Sequence, residues 1–318
     1  MRATIIYNPN ATGMNEDVLK SMNMTLSKQG IEVSEEMSRY PGNSIELVKD
    51  ANEESDLIVT MGGDGTLGEA FRAFGEVEQR SNYAHISTGT ANDTADNLGL
   101  YQGSVYSSVK LYENLNKCMI VPVDMITANG IPFSYVSCCG TFTNLTYETP
   151  KSFKKTFGKM GYYLFSGLVG LSCMPDVIHK PLKISYEMNG ENKIISAMTM
   201  LVSNTRTFAG FKLFPKARID DGIFEVTILK GLPGKSTLKA ISQLLYKDGE
   251  NFDIHKYSKY IDTFMTDDFK VIFESGEPRL GFNHDGDHAF VSLNDEQAIE
   301  YKVSKKINML LPQRAIKK

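Results

Sequence analysis

Carboxylates set among glycines are the first chemistry visible in this sequence. An apolar run over residues 56–61 leads straight into Gly62-Gly63-Asp64-Gly65-Thr66 and then into Leu67-Gly68-Glu69-Ala70-Phe71. A strand, a glycine turn and a helix start leave several backbone N–H groups at the positive end of a helix dipole, which suits a phosphate. Glycine is needed there because a Cβ would block close backbone approach and left-handed torsions. Asp64 stands where a carboxylate can reach a phosphate-bound Mg²⁺, directly or through water. Taken alone, a Gly-Asp-Gly turn is a weak signal, since such turns also join strands to helices without binding anything. A second turn of the same kind changes the balance. Residues 84–87 lead into Thr88-Gly89-Thr90-Ala91-Asn92-Asp93-Thr94-Ala95, small polar residues at another helix start. In a parallel sheet both turns emerge at one carboxyl edge, where nucleotides bind, so one cleft holds both. The sequence has neither the Gly-Lys-Ser/Thr loop nor the Gly-x-Gly-x-x-Gly fingerprint.

Two further acidic turns lie downstream. Asn283-His284-Asp285-Gly286-Asp287 places two carboxylates around one glycine at a strand end, and a carboxylate can accept the proton of an attacking hydroxyl. Spacing alone favours a plain hairpin, because Asp-Gly is a strong turn signal. Asp220-Asp221-Gly222 has the same ambiguity, but two carboxylates with nearby carbonyls suit a hard cation, and metal binding is preferred. His284 and His288 flank the first group, and no histidine pair shows zinc spacing. The cysteines at 118, 138, 139 and 173 follow no ligand spacing. The adjacent pair argues against an ordinary disulfide, so buried reduced thiols are expected.

The elements that must position these groups fall into two patterns. Up to about residue 122, short apolar runs at 3–7, 31–33, 56–61, 83–87 and 119–121 alternate with helical stretches, the last from 104 to 116. Strands separated by helices imply parallel crossovers. Beyond Asp124, period-2 runs at 133–137, 182–188, 197–202, 223–229, 271–273, 289–293 and 299–303 are punctuated by Asn129-Gly130, Asn189-Gly190 and Asp221-Gly222, the marks of antiparallel meanders. The expected fold is an α/β N-terminal domain with an open, mainly parallel sheet over residues 1–123, and a mostly antiparallel β-sandwich C-terminal domain over 124–318. Helical insertions at 152–171 and 235–246 interrupt the second domain, and the basic tail from Arg314 frays or packs back on the first.

Composition is ordinary: 318 residues, 42% hydrophobic and 23% charged, with net charge −4. That balance argues against a nucleic-acid partner. The N-terminus does not read as a signal peptide, and the most apolar window, 160–174, is shorter than the roughly 20 residues a membrane span needs. Lys151, Lys154, Lys155 and Lys159 precede an aromatic run, and Phe153, Phe157, Met160 and Leu164 recur at helical steps. Such a stripe packs on a core or lies in an anionic lipid interface.

Read together, Asn8-Pro9, Gly62-Gly63-Asp64-Gly65-Thr66-Leu67 with Glu69, and Gly89-Thr90 with Asn92-Asp93 and Ala95 resemble the catalytic-domain motifs of the diacylglycerol kinase superfamily. Tyr147-Glu148-Thr149-Pro150, Ala209-Gly210-Phe211, Asp220-Asp221-Gly222 and Asn283 with Asp285-Gly286 resemble the soluble diacylglycerol kinases of Gram-positive bacteria. The likeness runs in order along essentially the whole chain. It implies ATP- and Mg²⁺-dependent phosphorylation of a lipid hydroxyl, diacylglycerol to phosphatidic acid. It implies an ATP site built from Asn8, Pro9, Asn10, Ala11, Thr12, Gly13, Ser38, the stretch Gly62, Gly63, Asp64, Gly65, Thr66, Leu67, Gly68 and Glu69, and Thr90, Asn92 and Asp93. A bound Mg²⁺ would be held by the Asp221 side chain and the backbone carbonyls of Arg218 and Ile223. Asp64 and Asp287 would be the catalytic acids, with Asp287 as the base.

The chain departs from the pattern in five places. Asp287 stands for the family's glutamate, Gly68 for an asparagine, and Thr94 and Asp96 for aromatic and basic residues; the turn through Asn10 is one residue longer. Other acceptors stay open, namely a sphingoid base, ceramide or monoacylglycerol. So do NAD, whose kinases share Gly-Gly-Asp-Gly-Thr, and a non-catalytic lipid or nucleotide sensor. The implied setting is cytoplasmic, with transient contact at the anionic inner face of the membrane, and a homodimer is allowed.

Overall fold

The computed structural model describes residues 1–90, 92–100, 103–140, 182–188, 190–206, 214, 217–230, 261–274, 282–285, 287–289, 293 and 296–313, with 93, 282–283 and 287–289 described by backbone alone. The chain divides into two compact units, Met1–Met125 with Lys305–Lys318, and Ile126–Ser304.

The first unit contains β1 (Arg2–Tyr7), α1 (Glu16–Ser27), β2 (Glu32–Met37), α2 (Asn43–Glu54), β3 (Leu57–Gly62), α3 (Asp64–Glu76), β4 (Asn82–Ser87), α4 (Asp93–Asn97), α5 (Val105–Lys110) and most of β5 (Cys118–Ala128). Four of its strands run in the order β4-β3-β1-β2, all parallel. The chain therefore leaves β1 in one direction and returns past it to β3, so the order reverses between β1 and β3. Opposite right-handed crossovers put helices on both faces, and α1 packs with α5 while α2 packs with α3. β3 is buried along its whole length, as a strand covered on both faces should be. β2, at the edge, is largely exposed and carries Glu32, Glu35 and Glu36, charges that discourage pairing with another chain. Inside the sheet, Thr60 Oγ1 hydrogen-bonds both the Tyr83 hydroxyl at 2.7 Å and His85 Nδ1 at 2.8 Å.

The second unit contains β6 (Ile131–Phe133), β7 (Val136–Gly140), β8 (Leu182–Met188), β9 (Glu191–Ser203), β10 (Phe224–Lys230), β11 (Ile261–Thr266), β12 (Asp268–Phe273), β13 (Phe282–His284), β14 (Asp287–Ala289) and the first half of β15 (Ala298–Pro312). Pairing here is antiparallel throughout. The alternation of Phe224, Val226 and Ile228 and of Ile184 and Tyr186 buries one apolar set in a core shared with Met200, Phe269 and Tyr301. Asn129 and Gly130 take φ of 46° and 81°, the twist-matched geometry of a two-residue hairpin, and join β5 to β6 as expected. The last half of β15 belongs to the first unit, where Met309 pairs in parallel with Tyr83.

Two local expectations need correction. The helix expected over 104–116 stops at Lys110, and Leu115–Lys117 forms a separate 3₁₀ turn. There Asn114 Oδ1 accepts the Asn116 N–H at 3.1 Å, a local bond that competes with helix propagation. Residues 217–223 form a loop that leads into β10. Cys138 and Cys139 are buried free thiols, but Cys118 is only half-buried. Cys173, the segments 152–171 and 235–246, the motifs at 147–150 and 209–211, and the tail from Arg314 lie outside the described residues. Among the described residues no helix is long and apolar enough to cross a membrane.

Candidate active site

In the first unit, three turns meet at the carboxyl edge of the sheet, beside the reversal between β1 and β3 where doubly wound folds bind ligands. After β1, the Asn8 N–H donates to the Met61 carbonyl at 2.9 Å, and Asn8 Oδ1 accepts the Asn10 N–H at 2.9 Å. The turn then doubles back, and the Gly13 N–H donates to the Thr88 carbonyl at 2.7 Å. After β3, the Thr88 N–H donates to the Gly62 carbonyl at 2.7 Å. Backbone bonds thus tie the turns after β1, β3 and β4 to one another.

The glycines are required by close approach. A Cβ on Gly62 would stand 2.1 Å from Thr66 Oγ1, because α3 turns back over it. A Cβ on Gly89 would stand 2.5 Å from Gly63 Cα and 2.8 Å from Asn92 Oδ1. The turns after β3 and β4 are therefore in direct backbone contact. Thr12 and Thr90 bridge the outer turns through their hydroxyls at 2.8 Å.

Asp64 is the first residue of α3, where a negative charge complements the helix dipole. Its Oδ1 accepts the Thr94 N–H in the first turn of α4 at 2.9 Å, so the carboxylate sits where two helix starts meet. Asn92 has a left-handed φ of 55° and donates from Nδ2 to the Gly89 carbonyl at 2.8 Å. Asn92 Oδ1 and the hydroxyls of Ser87, Thr88 and Thr94 are buried without a hydrogen bond among the described residues. Orphaned hydroxyls beside a cradle that any Cβ would fill fit a ligand rich in oxygen, such as a phosphate chain. The sequence does not mark Thr88 and Thr94 as ligands; their buried, unbonded hydroxyls do.

Other residues expected at a nucleotide have structural work. Glu69 Oε1 accepts the Gly42 N–H at 2.8 Å and anchors the turn after β2. The Ser38 N–H continues the sheet by donating to the Tyr7 carbonyl at 2.9 Å. Thr66, Leu67 and Gly68 lie on the buried side of α3. Pro9 and Ala11 are turn backbone, Gly65 lies in the first turn of α3, and Asp93 opens α4.

In the second unit, β13 and β14 form the hairpin that spacing favours, with His284 opposite Asp287. Asp285 caps it at φ 55°. Its carboxylate accepts the N–H groups of Ser134, Tyr135 and Val136 and the Ser134 hydroxyl, at 2.7 to 3.1 Å. Burial pushes the Asp285 carboxyl up to about 6 against the pull of those four donors. Asp285 is thereby committed to holding β7 to the hairpin. His284 is fully buried with its ring 5.4 Å from that of Phe133, a packing role. The side chain of Asp287 lies outside the described part.

The loop 217–223 brings the Arg218 and Ile223 carbonyls together. Both face the buried amide end of Asn204, at 3.0 and 3.1 Å. Asp221 is exposed, and its Oδ1 accepts the Ile223 N–H at 3.3 Å. Asp220 instead pairs with the Arg218 guanidinium at 3.1 Å. Burial, and then the Asp221 charge, push the Glu225 carboxyl up to about 8. No three His, Cys, Asp or Glu side chains cluster for a metal among the described residues. Converging carbonyls next to a carboxylate nonetheless fit a hard cation.

A parallel sheet with paired glycine turns and no phosphate-binding lysine loop, carried with an antiparallel β unit, defines a kinase class built on Gly-Gly-Asp-Gly-Thr. Residues 2–128 match the diacylglycerol kinase catalytic domain, and 168–253 match the YegS C-terminal NAD kinase beta sandwich-like domain. A diacylglycerol kinase of Bacillus subtilis is 32% identical over 234 residues, 72% of this chain and 74% of that one. A diacylglycerol kinase of Staphylococcus aureus is 29% identical over 250 residues, 77% and 74% of the two chains. The fold matches a crystal structure described as a diacylglycerol kinase from Bacillus anthracis with a TM-score of 0.73, at 17% identity over 99% of this chain and 98% of that one. The chain belongs to the diacylglycerol kinase family, and it is a lipid kinase.

Proposed function

We propose that this chain transfers the γ-phosphoryl group of ATP to the free hydroxyl of diacylglycerol, giving phosphatidic acid, with Mg²⁺. The observation that carries this reading is the backbone contact between Gly63 and Gly89 within a matched kinase domain. Phosphoryl transfer asks little covalent work of a protein and depends on positioning and charge. The N–H groups at the start of α3 and in the turn after β4, with the Thr88 and Thr94 hydroxyls, hold phosphoryl oxygens. Asp64 would hold a phosphate-bound Mg²⁺, and Arg218, Asp221 and Ile223 a second one; bound there, Mg²⁺ supplies neutralisation of charge on phosphoryl oxygens. Asp287 accepts the lipid hydroxyl proton as that oxygen bonds to phosphorus. Its support is the family pattern and the commitment of Asp285 to the hairpin. Peripheral, salt-sensitive contact with an anionic bilayer through the basic segment from Lys151 belongs to the same reading.

One finding favours a second reading, phosphorylation of NAD: the second matched domain carries NAD kinase in its description. The catalytic-domain match and the relatives' names support the lipid instead. The test is radiolabelled ATP with diacylglycerol micelles, wild type against Asp64→Asn. Asparagine keeps an acceptor for the Thr94 N–H but loses the charge, so turnover should fall by most of its value at an unchanged melting temperature. Wild-type turnover in the variant overturns the assignment.

A further inference from the structure

The entrance to β10 holds more oxygen than the three groups assigned to its cation. Asn204 is 2% exposed, and its amide end lies 3.0 Å from the Arg218 carbonyl oxygen and 3.1 Å from that of Ile223. An amide can present either end. With Nδ2 in that place, Asn204 donates to both carbonyls and clasps the loop. With Oδ1 there, three neutral oxygens stand side by side. Adjacent ligands in an octahedral Mg²⁺ shell, at about 2.0–2.1 Å from the ion, are about 2.9–3.0 Å apart. Turning one amide therefore replaces a hydrogen-bonded clasp by an oxygen that stands at ligand-to-ligand distance from both carbonyls.

Glu225 is an independent second observation. It lies four residues after Asp221, at the start of β10 opposite Ser203, the residue before Asn204. Its side chain is on the face away from Phe224 and Val226, which enter the apolar core. Glu225 is 6% exposed, and its Oε2 has no hydrogen bond among the described residues. A buried carboxyl oxygen without a donor, four residues along the chain from a second carboxylate, is unfavourable unless a cation answers it.

Resting on the reading of Asp221 as a cation ligand, we propose that Asn204 and Glu225 complete that site. Asn204 Oδ1 joins the Arg218 and Ile223 carbonyls as a direct ligand, and Glu225 supplies the second carboxylate beside Asp221. Two carboxylates balance a divalent ion, whereas Asp221 alone leaves one positive charge unanswered.

The test uses the full chain stripped with a chelator and titrated with Mg²⁺ alone, read by calorimetry and thermal melting. Glu225→Gln should weaken Mg²⁺ binding about tenfold or more while the metal-free melting temperature holds or rises. Asn204→Asp should bind Mg²⁺ at least as tightly as wild type yet melt lower without it, because a carboxylate facing two carbonyls repels them. Equal destabilisation of Asn204→Asp with and without Mg²⁺ would leave the amide as a clasp and overturn its part. Wild-type Mg²⁺ affinity in Glu225→Gln would overturn the rest. If Glu225→Gln does not fold, Glu225→Asp carries the test: intermediate affinity supports the site, wild-type affinity overturns it. Asp221→Ala separates the two levels. If it loses the Mg²⁺ response while the other variants bind normally, only this proposal fails; if it responds like wild type, the underlying cation site fails.

Discussion

Substitution of Gly89 by alanine probes the contact on which the phosphate cradle rests. The added methyl would stand 2.5 Å from Gly63 Cα, about 0.9 Å inside the 3.4 Å at which ordinary contact begins. Neither neighbour is a flexible side-chain end that can swing away: one is backbone, and the other is Asn92 Oδ1, whose own amide is fixed to the Gly89 carbonyl. The turns after β3 and β4 must therefore separate by roughly 1 Å, and misplacement of that size costs about 10²-fold in rate. That is about 2.7 kcal/mol in kcat/KM for ATP. Overpacking of this kind lowers stability by about 1–3 kcal/mol, so the variant folds at growth temperature. Gly103→Ala is the control. Gly103 has φ +80° with nothing within 4 Å of an added Cβ. Alanine there strains the backbone and lowers stability, but leaves the cradle intact. Initial-rate kinetics over ATP concentration, paired with melting curves, separate the two effects. Wild-type kcat/KM in Gly89→Ala, or an equal loss in Gly103→Ala, would refute the reasoning.

Two further predictions follow from single side chains. Asp287→Ala should lower kcat by roughly 10²–10⁴ with little change in KM for ATP, as loss of a general base does, while Asp287→Glu retains or raises activity by restoring the longer acid; steady-state rates on lipid micelles decide, and tolerance of alanine moves the base elsewhere. His85 is fully buried against Thr60, and burial pushes its pKa down to about 3. As pH falls below about 6.5 the unfolded chain takes up a proton that the folded chain refuses, so His85 costs about 1.4 kcal/mol of stability per pH unit between about 6.5 and 3. Urea midpoints from pH 7 to 4.5 should therefore fall less steeply for His85→Gln than for wild type, and parallel profiles would show that His85 does not set the acid limb.

The parallel unit was legible because β1, β3 and β4 are short apolar runs, each leading into a glycine or Asn-Pro turn that only one sheet edge can bring together. The Gly62–Thr66 and Gly89–Asn92 turns announced their backbone contact through residue type alone, since glycine at a crowded turn leaves a mark in sequence. Roles set by burial left no such mark. Thr88 and Thr94 are ordinary small polar residues until the fold buries their hydroxyls, and nothing local in the sequence signals that the Glu69 carboxylate accepts the Gly42 N–H. The same limit applies to Asp285 and Asp287, which turn chemistry alone cannot tell apart. Only the donors of 134–136, about 150 residues away in sequence, show that Asp285 is structural. The contact of the 217–223 loop with Asn204 likewise left no mark in the sequence, because no local pattern links the two.

The central claim is that the paired glycine turns deliver phosphate to a lipid hydroxyl. The most direct measurement offers the purified chain radiolabelled ATP, Mg²⁺ and, in separate reactions, diacylglycerol, monoacylglycerol, ceramide, sphingosine and NAD, and asks which acceptor becomes labelled. Label in phosphatidic acid, abolished by Asp64→Asn, is the predicted result; label in NAD alone, or in no acceptor, would contradict it.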